Sequence, residues 1–222
     1  MRVLVIAAHP DDETLGCGGT LLRHAERGDE LFWVVVTQAH EPQWPAATIA
    51  RKAVEVDGVA HAYGMKDTVR LGFPAARLDV VPQVDLMTAI REPIRRIQPE
   101  VVYLVHEGDV HSDHLATSRA ATAVLKPFHQ RALGVRRVLS YETLSSTDAA
   151  PPRSDRAFLP HVICDITPHM ARKLEIMRMY ESEDQGDLLP RGASAIEALA
   201  RFRGATIGVK YAEAFTLVRE LS

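Results

Sequence analysis

The chain is 222 residues long and carries 26 Lys and Arg against 29 Asp and Glu, a formal charge of −3. That length suits one domain over residues 1–222, which can bury about 70% of its unfolded surface without disulfides or a structural metal. The near-even charge argues against a nucleic-acid footprint, and a composition of 46% hydrophobic and 25% charged residues excludes a disordered chain.

In chain order, short apolar runs alternate with helix-length amphipathic stretches. Val3–Ala7, Leu31–Thr37, Val101–Val105 and Val135–Tyr141 are nearly continuous in apolar residues, the pattern of strands buried on both sides. Between them, Glu13–Arg27 stops at Gly28, Ala46–His61 follows the second strand, and Val80–Gln98 stops before Pro99; each spaces apolar residues by three and four, as a helix does. Strand and helix in alternation predict a Rossmann-like, three-layer α/β fold with a mostly parallel sheet. Leu144–Ser154, with Pro151 and Pro152, is predicted as a surface loop. Beyond it come a strand over Val162–Ile166, helices over Pro168–Tyr180 and Ser194–Arg203, a turn through Gly204 and Gly208, and a closing Ala212–Arg219 segment.

Cys17 and Cys164 lie far apart and form no zinc-like spacing, so no disulfide framework is indicated. The first apolar run is too short for a signal-peptide core and none approaches the roughly 18 residues of a membrane span. A soluble, cytoplasmic protein is expected, with no membrane span and no nucleic-acid partner.

Ten histidines stand out, and what matters is where they fall. Ala8-His9-Pro10-Asp11-Asp12-Glu13 follows the first strand directly, where open parallel sheets bind ligands. Carboxylates near a helix start gain about 0.3 to 1 kcal/mol from its dipole, which accounts for one acid or two but not for a histidine held extended by the next proline. His9 and Asp12 can converge on one metal ion across such a turn while Asp11 points elsewhere. The glycines Gly16, Gly18 and Gly19 come too late for a dinucleotide-binding turn and are expected instead to let the first helix approach its neighbours closely.

A second polar cluster, His106-Glu107-Gly108-Asp109-Val110-His111-Ser112-Asp113-His114, follows the strand Val101–Val105. Three histidines and three acids in nine residues would be costly to desolvate for packing alone. Two such clusters at strand ends of one sheet point to a metal site. Two histidines, a carboxylate and an open position suit a hydrolytic zinc, although ferrous iron uses the same ligands. Asp11 and a spare histidine remain to handle protons.

Together, Ala8–Glu13 and His111-Ser112-Asp113-His114 resemble the LmbE-like, or PIG-L, family of zinc-dependent N-acetylglucosaminyl deacetylases. The segments Tyr141–Thr147 and Arg203-Gly204 through Tyr211-Ala212-Glu213-Ala214-Phe215 are also similar to that family. The resemblance implies Zn2+ held by His9, Asp12 and His114, with Asp11 as the general base. It makes His111 the stabiliser of the oxyanion or the donor to the leaving amine, and Asp113 a carboxylate that orients a histidine. It implies an N-acetylated sugar or glycoconjugate as substrate, and relatives that assemble leave a homo-oligomer open. Rival expectations are a zinc amidohydrolase acting on another small amide, such as a thiol-cofactor precursor or an antibiotic intermediate, and an inactive sugar-binding relative.

Other residues keep two readings. Asp109 stands where some relatives carry tyrosine and could bond sugar hydroxyls or its own loop. Glu13 is either a helix-start residue or part of the site. Gly72–Ala76 lacks an acid that relatives often carry there, and Arg70, Arg77 and Asp79 are the polar groups near it. His106 either lines the pocket or does not, Trp44 stacks on a sugar or covers the core edge, and Arg191 and Arg203 bind an anionic substrate or a subunit. His24, His61, His129, His161 and His169 read as surface or core residues, and Cys17 as packing.

Overall fold

Alternation along the first strand decides the layers. Val3, Val5 and Ala7 belong to one apolar cluster, Leu4 and Ile6 to another, and all five are fully buried, as only a strand covered on both faces allows. Trp33 and Val35 join the first cluster, Val34 and Val36 the second. The computed structural model, which describes residues 1–151, 153–183 and 186–222, builds a seven-stranded sheet on this basis. Its strands are β1 (Arg2–Ala7), β2 (Glu30–Gln38), β3 (Asp67–Pro74), β4 (Val101–Val105), β5 (Arg137–Tyr141), β6 (Val162–Asp165) and β7 (Ala212–Glu220). The helices are α1 (Asp12–Glu26), α2 (Ala46–Tyr63), α3 (Gln83–Ile97), α4 (Ser112–Val124), α5 (Pro127–Ala132), α6 (Met170–Met177) and α7 (Ala193–Ala205).

The strand order is β3-β2-β1-β4-β5-β7-β6. Strands β1 to β5 pair in parallel, with Val3 opposite both Leu31 and Val101, whereas β7 runs antiparallel between β5 and β6. The chain therefore winds outward from β1 through β2 to β3, then returns to β4 on the other side of β1. That reversal opens a crevice beyond the carboxyl ends of β1 and β4, where both polar clusters emerge.

Several boundaries move for local reasons. Leu78–Val80 is a single 3-10 turn and α3 starts only after Pro82, because a proline disfavours helical backbone in the residue before it. Val135 lies outside β5 and donates its N–H to Gln130 O, closing the unexpected short helix α5. Thr167–His169 is likewise a 3-10 turn ahead of α6. The closing segment is the strand β7, and the 144–154 loop is partly sunk, with Ser146 buried and its carbonyl accepting from Val110 N. Pro152 of that loop lies outside the described residues. Among the described residues no helix is long and apolar enough to cross a membrane.

Helix α1 is broken at Cys17, whose φ of −142° is not helical. In an unbroken helix Gly19 and Thr20 would donate to Leu15 O and Gly16 O. Here both N–H groups turn to the Glu213 carboxylate of β7, at 2.9 and 2.7 Å, and Lys173 Nζ donates to the freed Leu15 O at 2.9 Å. Lys173 and Glu213 are buried and 2.7 Å apart. The glycines fit the expectation of close approach: a Cβ on Gly16 would overlap the Tyr141 ring, and one on Gly19 would lie 2.7 Å from Ile166 Cβ. Cys17 is fully buried, as a packing residue would be.

Candidate active site

The first cluster is a tight turn locked by its own side chains. Asp12 opens α1, and its Oδ2 accepts from His9 N at 2.8 Å, which folds the imidazole back over the helix start. Asp11 sits at φ +110°, a region that disfavours side chains, and such strain persists only where the surroundings over-determine it. Those surroundings include Leu15 N–H on the Asp11 carbonyl at 2.9 Å and the Asp11 N–H donated to Glu13 Oε2 at 3.1 Å. Glu13, in the first turn of α1, is fully buried and also accepts from Tyr180 Oη and Thr14 Oγ1, both at 2.6 Å, so it is a helix-start residue turned inward beside the turn that carries Asp11. Burial pushes its carboxyl up to about 7.

The second cluster enters α4 with His111 as the N-cap, its Nδ1 accepting from Asp113 N at 3.2 Å. Asp113 is fully buried and ties three segments together. Its Oδ2 lies 2.9 Å from His9 Nε2 and accepts from Ala76 N at 2.6 Å, while Oδ1 accepts from Leu78 N at 3.0 Å. Asp109 Oδ2 lies 2.6 Å from His114 Nδ1, so its partner is a histidine ring rather than the loop backbone. Each carboxylate thus holds one ring from behind and sets its tautomer.

The inward nitrogens are left facing one another. His9 Nδ1 and His114 Nε2 are 3.3 Å apart, Asp12 Oδ1 is 3.3 Å from the latter, and Asp12 Oδ2 is 3.7 Å from the former. With the outward nitrogens protonated toward Asp113 and Asp109, these inner atoms are lone pairs beside a carboxylate. Two lone pairs at that distance call for a cation between them, a proton or a metal ion. The electrostatics agree. Burial opposes charge on His9, yet its bonds to Asp113 and Asp12 raise it to about 9; burial likewise opposes charge on His114, while Asp12 and Asp109 raise it to about 10. Burial also works against the Asp12 carboxylate, but the histidines, His114 foremost, hold it well below the usual range. The donor set, nitrogen and oxygen in a buried acidic pocket, fits a divalent ion such as zinc.

His111 lies close enough to compete on distance alone. One nitrogen from each of His9, His111 and His114 falls within 4.8 Å of the others, and the His111 ring stacks on His114 with centroids 5.1 Å apart. Burial, then the neighbouring His9 and His114, press His111 down to about 4.

His9, Asp11 and His111 form the inner side of a cavity of about 270 Å3 whose other side is built by α2 and by residues of and just after β2 and β3. Trp44, half-buried, lines it, as do Ala75, Ala76 and Arg70; Arg77 and Asp79 do not. An ion-pair chain crosses one wall. Arg191 Nη1 lies 2.9 Å from Asp11 Oδ2 and 2.6 Å from Glu183 Oε2, and Glu183 in turn pairs with Lys52 of α2. Among the described residues Asp11 Oδ2 has no well-aligned hydrogen-bond donor, so Arg191 meets it as a charge rather than as a directed bond. Burial drives the Asp11 carboxyl up, with Arg191 opposing.

Sequence reasoning missed Lys52 and Glu183 and left Arg191 undecided, since nothing local distinguishes them from solvated charges. Arg203 forms a two-pronged pair with Glu142 at 2.8 and 2.7 Å and takes no part in the cavity. His106 is buried and turned away, its Nε2 3.0 Å from Arg156 O.

Residues 4–125 match the family model described as PIG-L, GlcNAc-PI de-N-acetylase. The chain is 27% identical over 186 residues to a protein of Escherichia coli (strain K12) described as the uncharacterized deacetylase YaiS, covering 81% of this chain and 90% of that one. It is 24% identical over 191 residues to a probable N-acetyl-alpha-D-glucosaminyl L-malate deacetylase 2 of Bacillus anthracis, covering 82% and 81%. Among solved structures, the conserved protein TT1542 from Thermus thermophilus superposes with a TM-score of 0.79 at 29% identity, over 99% of this chain and 96% of that one.

Proposed function

The chain belongs to the PIG-L, GlcNAc-PI de-N-acetylase, family, and on that premise we propose that it is a zinc-dependent deacetylase acting on the acetamido group of an N-acetylglucosamine-type sugar or its conjugate. The observation that carries this reading is the pair of inward-facing ring nitrogens of His9 and His114, 3.3 Å apart beside Asp12 and backed by Asp113 and Asp109. His9 Nδ1, His114 Nε2 and the Asp12 carboxylate are the proposed zinc ligands. The chemistry supplied by bound zinc is Lewis acidity, which lowers the pKa of water toward about 7 and polarises an amide carbonyl.

The protein's own groups do the rest. Asp11 lines the cavity next to this centre and takes the proton from the attacking water as its oxygen closes on the acetyl carbon. His111 spends Nδ1 accepting from the Asp113 N–H, so its neutral ring carries the proton on Nε2 and donates it, as a hydrogen bond, to the oxygen that gains negative charge. This favours oxyanion stabilisation over ligation for the third histidine. The proton held by Asp11 then passes to the departing amine as the carbon–nitrogen bond breaks, giving acetate and a free amino sugar. The half-buried Trp44 offers a flat apolar surface for the sugar ring.

The test is acetate release from a panel of N-acetylglucosamine conjugates and non-sugar acetamides, with and without a chelator. Release from the sugars, abolished by chelation and restored by zinc, is expected. Turnover of the non-sugar amides alone would reject the substrate class, and turnover insensitive to chelation would reject the metal.

A further inference from the structure

The base of this site is a carboxylate on a strained turn, and its aim is set by something outside both motifs. Asp11 is 1% exposed, and its Oδ2 is met by Arg191 Nη1 at 2.9 Å. Arg191 is itself held from two further sides: Nη1 by Glu183 Oε2 at 2.6 Å, and Nε by Ser145 Oγ at 3.2 Å. Glu183 is anchored to α2 through Lys52, and beside it Ser182 donates from its N–H and Oγ to Glu55 of the same helix at 3.0 and 2.7 Å. A guanidinium fixed at three points cannot swing freely into solvent. It therefore acts as a fixed positive post against one oxygen of the base.

Resting on the deacetylase reading above, we propose that Arg191 is a positioning residue for the reaction. Its charge, 2.9 Å away, holds Oδ2 on its own side so that Oδ1 is presented to the attacking water, with the network of Glu183, Lys52 and Ser145 fixing Arg191 in turn. Removing the guanidinium frees a buried carboxylate to rotate and lets its geometry drift, which lowers turnover without touching a metal ligand or the apolar wall where the sugar would lie. A misplacement of about 1 Å at a catalytic group can cost about 100-fold in rate.

Arg191→Ala and Arg191→Lys, prepared with zinc and compared with wild type, separate this role from its alternatives. Arg191→Ala is expected to lower kcat by about 10- to 100-fold, with KM within about threefold and zinc content unchanged. Added guanidinium ion should restore part of its kcat, and Arg191→Lys should lie between the two because it keeps the charge but not the fork. A raised KM at unchanged kcat would make Arg191 a substrate-binding group and overturn the proposal. Lost zinc would make its role structural, and so would a fall in kcat that neither guanidinium nor lysine mitigates; either result overturns it as well. If Arg191→Ala does not fold, the Arg191→Lys comparison and its kcat-against-KM split decide alone. Wild-type protein that releases no acetate from any acetamido sugar refutes the deacetylase reading instead, a result distinct from an active wild type indifferent to position 191.

Discussion

Replacing Lys173 by methionine keeps the length and apolar stem of the side chain but removes the ammonium group that joins the two halves of α1 to the sheet. Lys173 is 2% exposed, with Nζ 2.7 Å from Glu213 Oε1 and 2.9 Å from Leu15 O. Without it, Glu213 keeps a buried negative charge supported, among the described residues, only by Gly19 N–H and Thr20 N–H, and Leu15 O loses its lysine donor at the break. Removing one partner of a buried pair costs about 3 to 5 kcal/mol, because the other charge stays desolvated. For a chain of this size each kcal/mol lowers Tm by about 2 to 4 °C, so the melt should fall by about 6 to 20 °C. Urea denaturation at fixed zinc concentration reads the loss directly, the fixed metal preventing ligand linkage from masking it. The double variant Lys173→Met/Glu213→Gln leaves no unpaired charge and keeps one acceptor oxygen of the two that Gly19 N–H and Thr20 N–H use, so it should be less destabilised than the sum of the single changes. A Lys173→Met protein within about 1 kcal/mol of wild type would show that water or a shifted helix end satisfies these groups, and would refute the account of the broken helix.

Three further outcomes follow from the site. Asp109→Ala frees the His114 ring from behind and should weaken zinc affinity by about 10- to 100-fold, read by competition with a chromophoric chelator; unchanged affinity would mean that Asp109 does not orient the ligand. His114→Ala should lose zinc on dialysis, and full occupancy by metal analysis would remove it from the ligand set. Asp11→Asn should retain zinc while kcat falls by about 100- to 10,000-fold, and near-normal turnover would exclude Asp11 as the base.

The layout of this site is largely legible in one dimension because its densest groups are contiguous. His9 to Glu13 and Asp109 to His114 each follow an unbroken apolar run, and a strand buried on both faces must deliver the next residues to the end of the sheet. The helices and strands flanking them are legible for the same reason, since periodicity reports which face is buried. The larger boundary shifts come where a proline or a helix end intervenes, as at Pro82 and Val135. Even within the motifs some roles need coordinates. In the sequence Asp109 reads as a sugar or backbone contact, and in the fold it holds His114, because only the fold decides which way a carboxylate five residues upstream turns.

The order of residues along the chain is enough for the alternation of strand and helix, for the two polar clusters at strand ends, and hence for a family and a class of chemistry. Every relation across long stretches of chain waits for the folded molecule: β7 inserted antiparallel between β5 and β6, Glu213 and Lys173 closing a break in α1, and Arg191 reaching Asp11 from 180 positions away. Side-chain periodicity records burial but not partnership. A lone charge in a sequence looks the same whether it is solvated or locked into a site, until folding supplies its counter-charge and takes away its water.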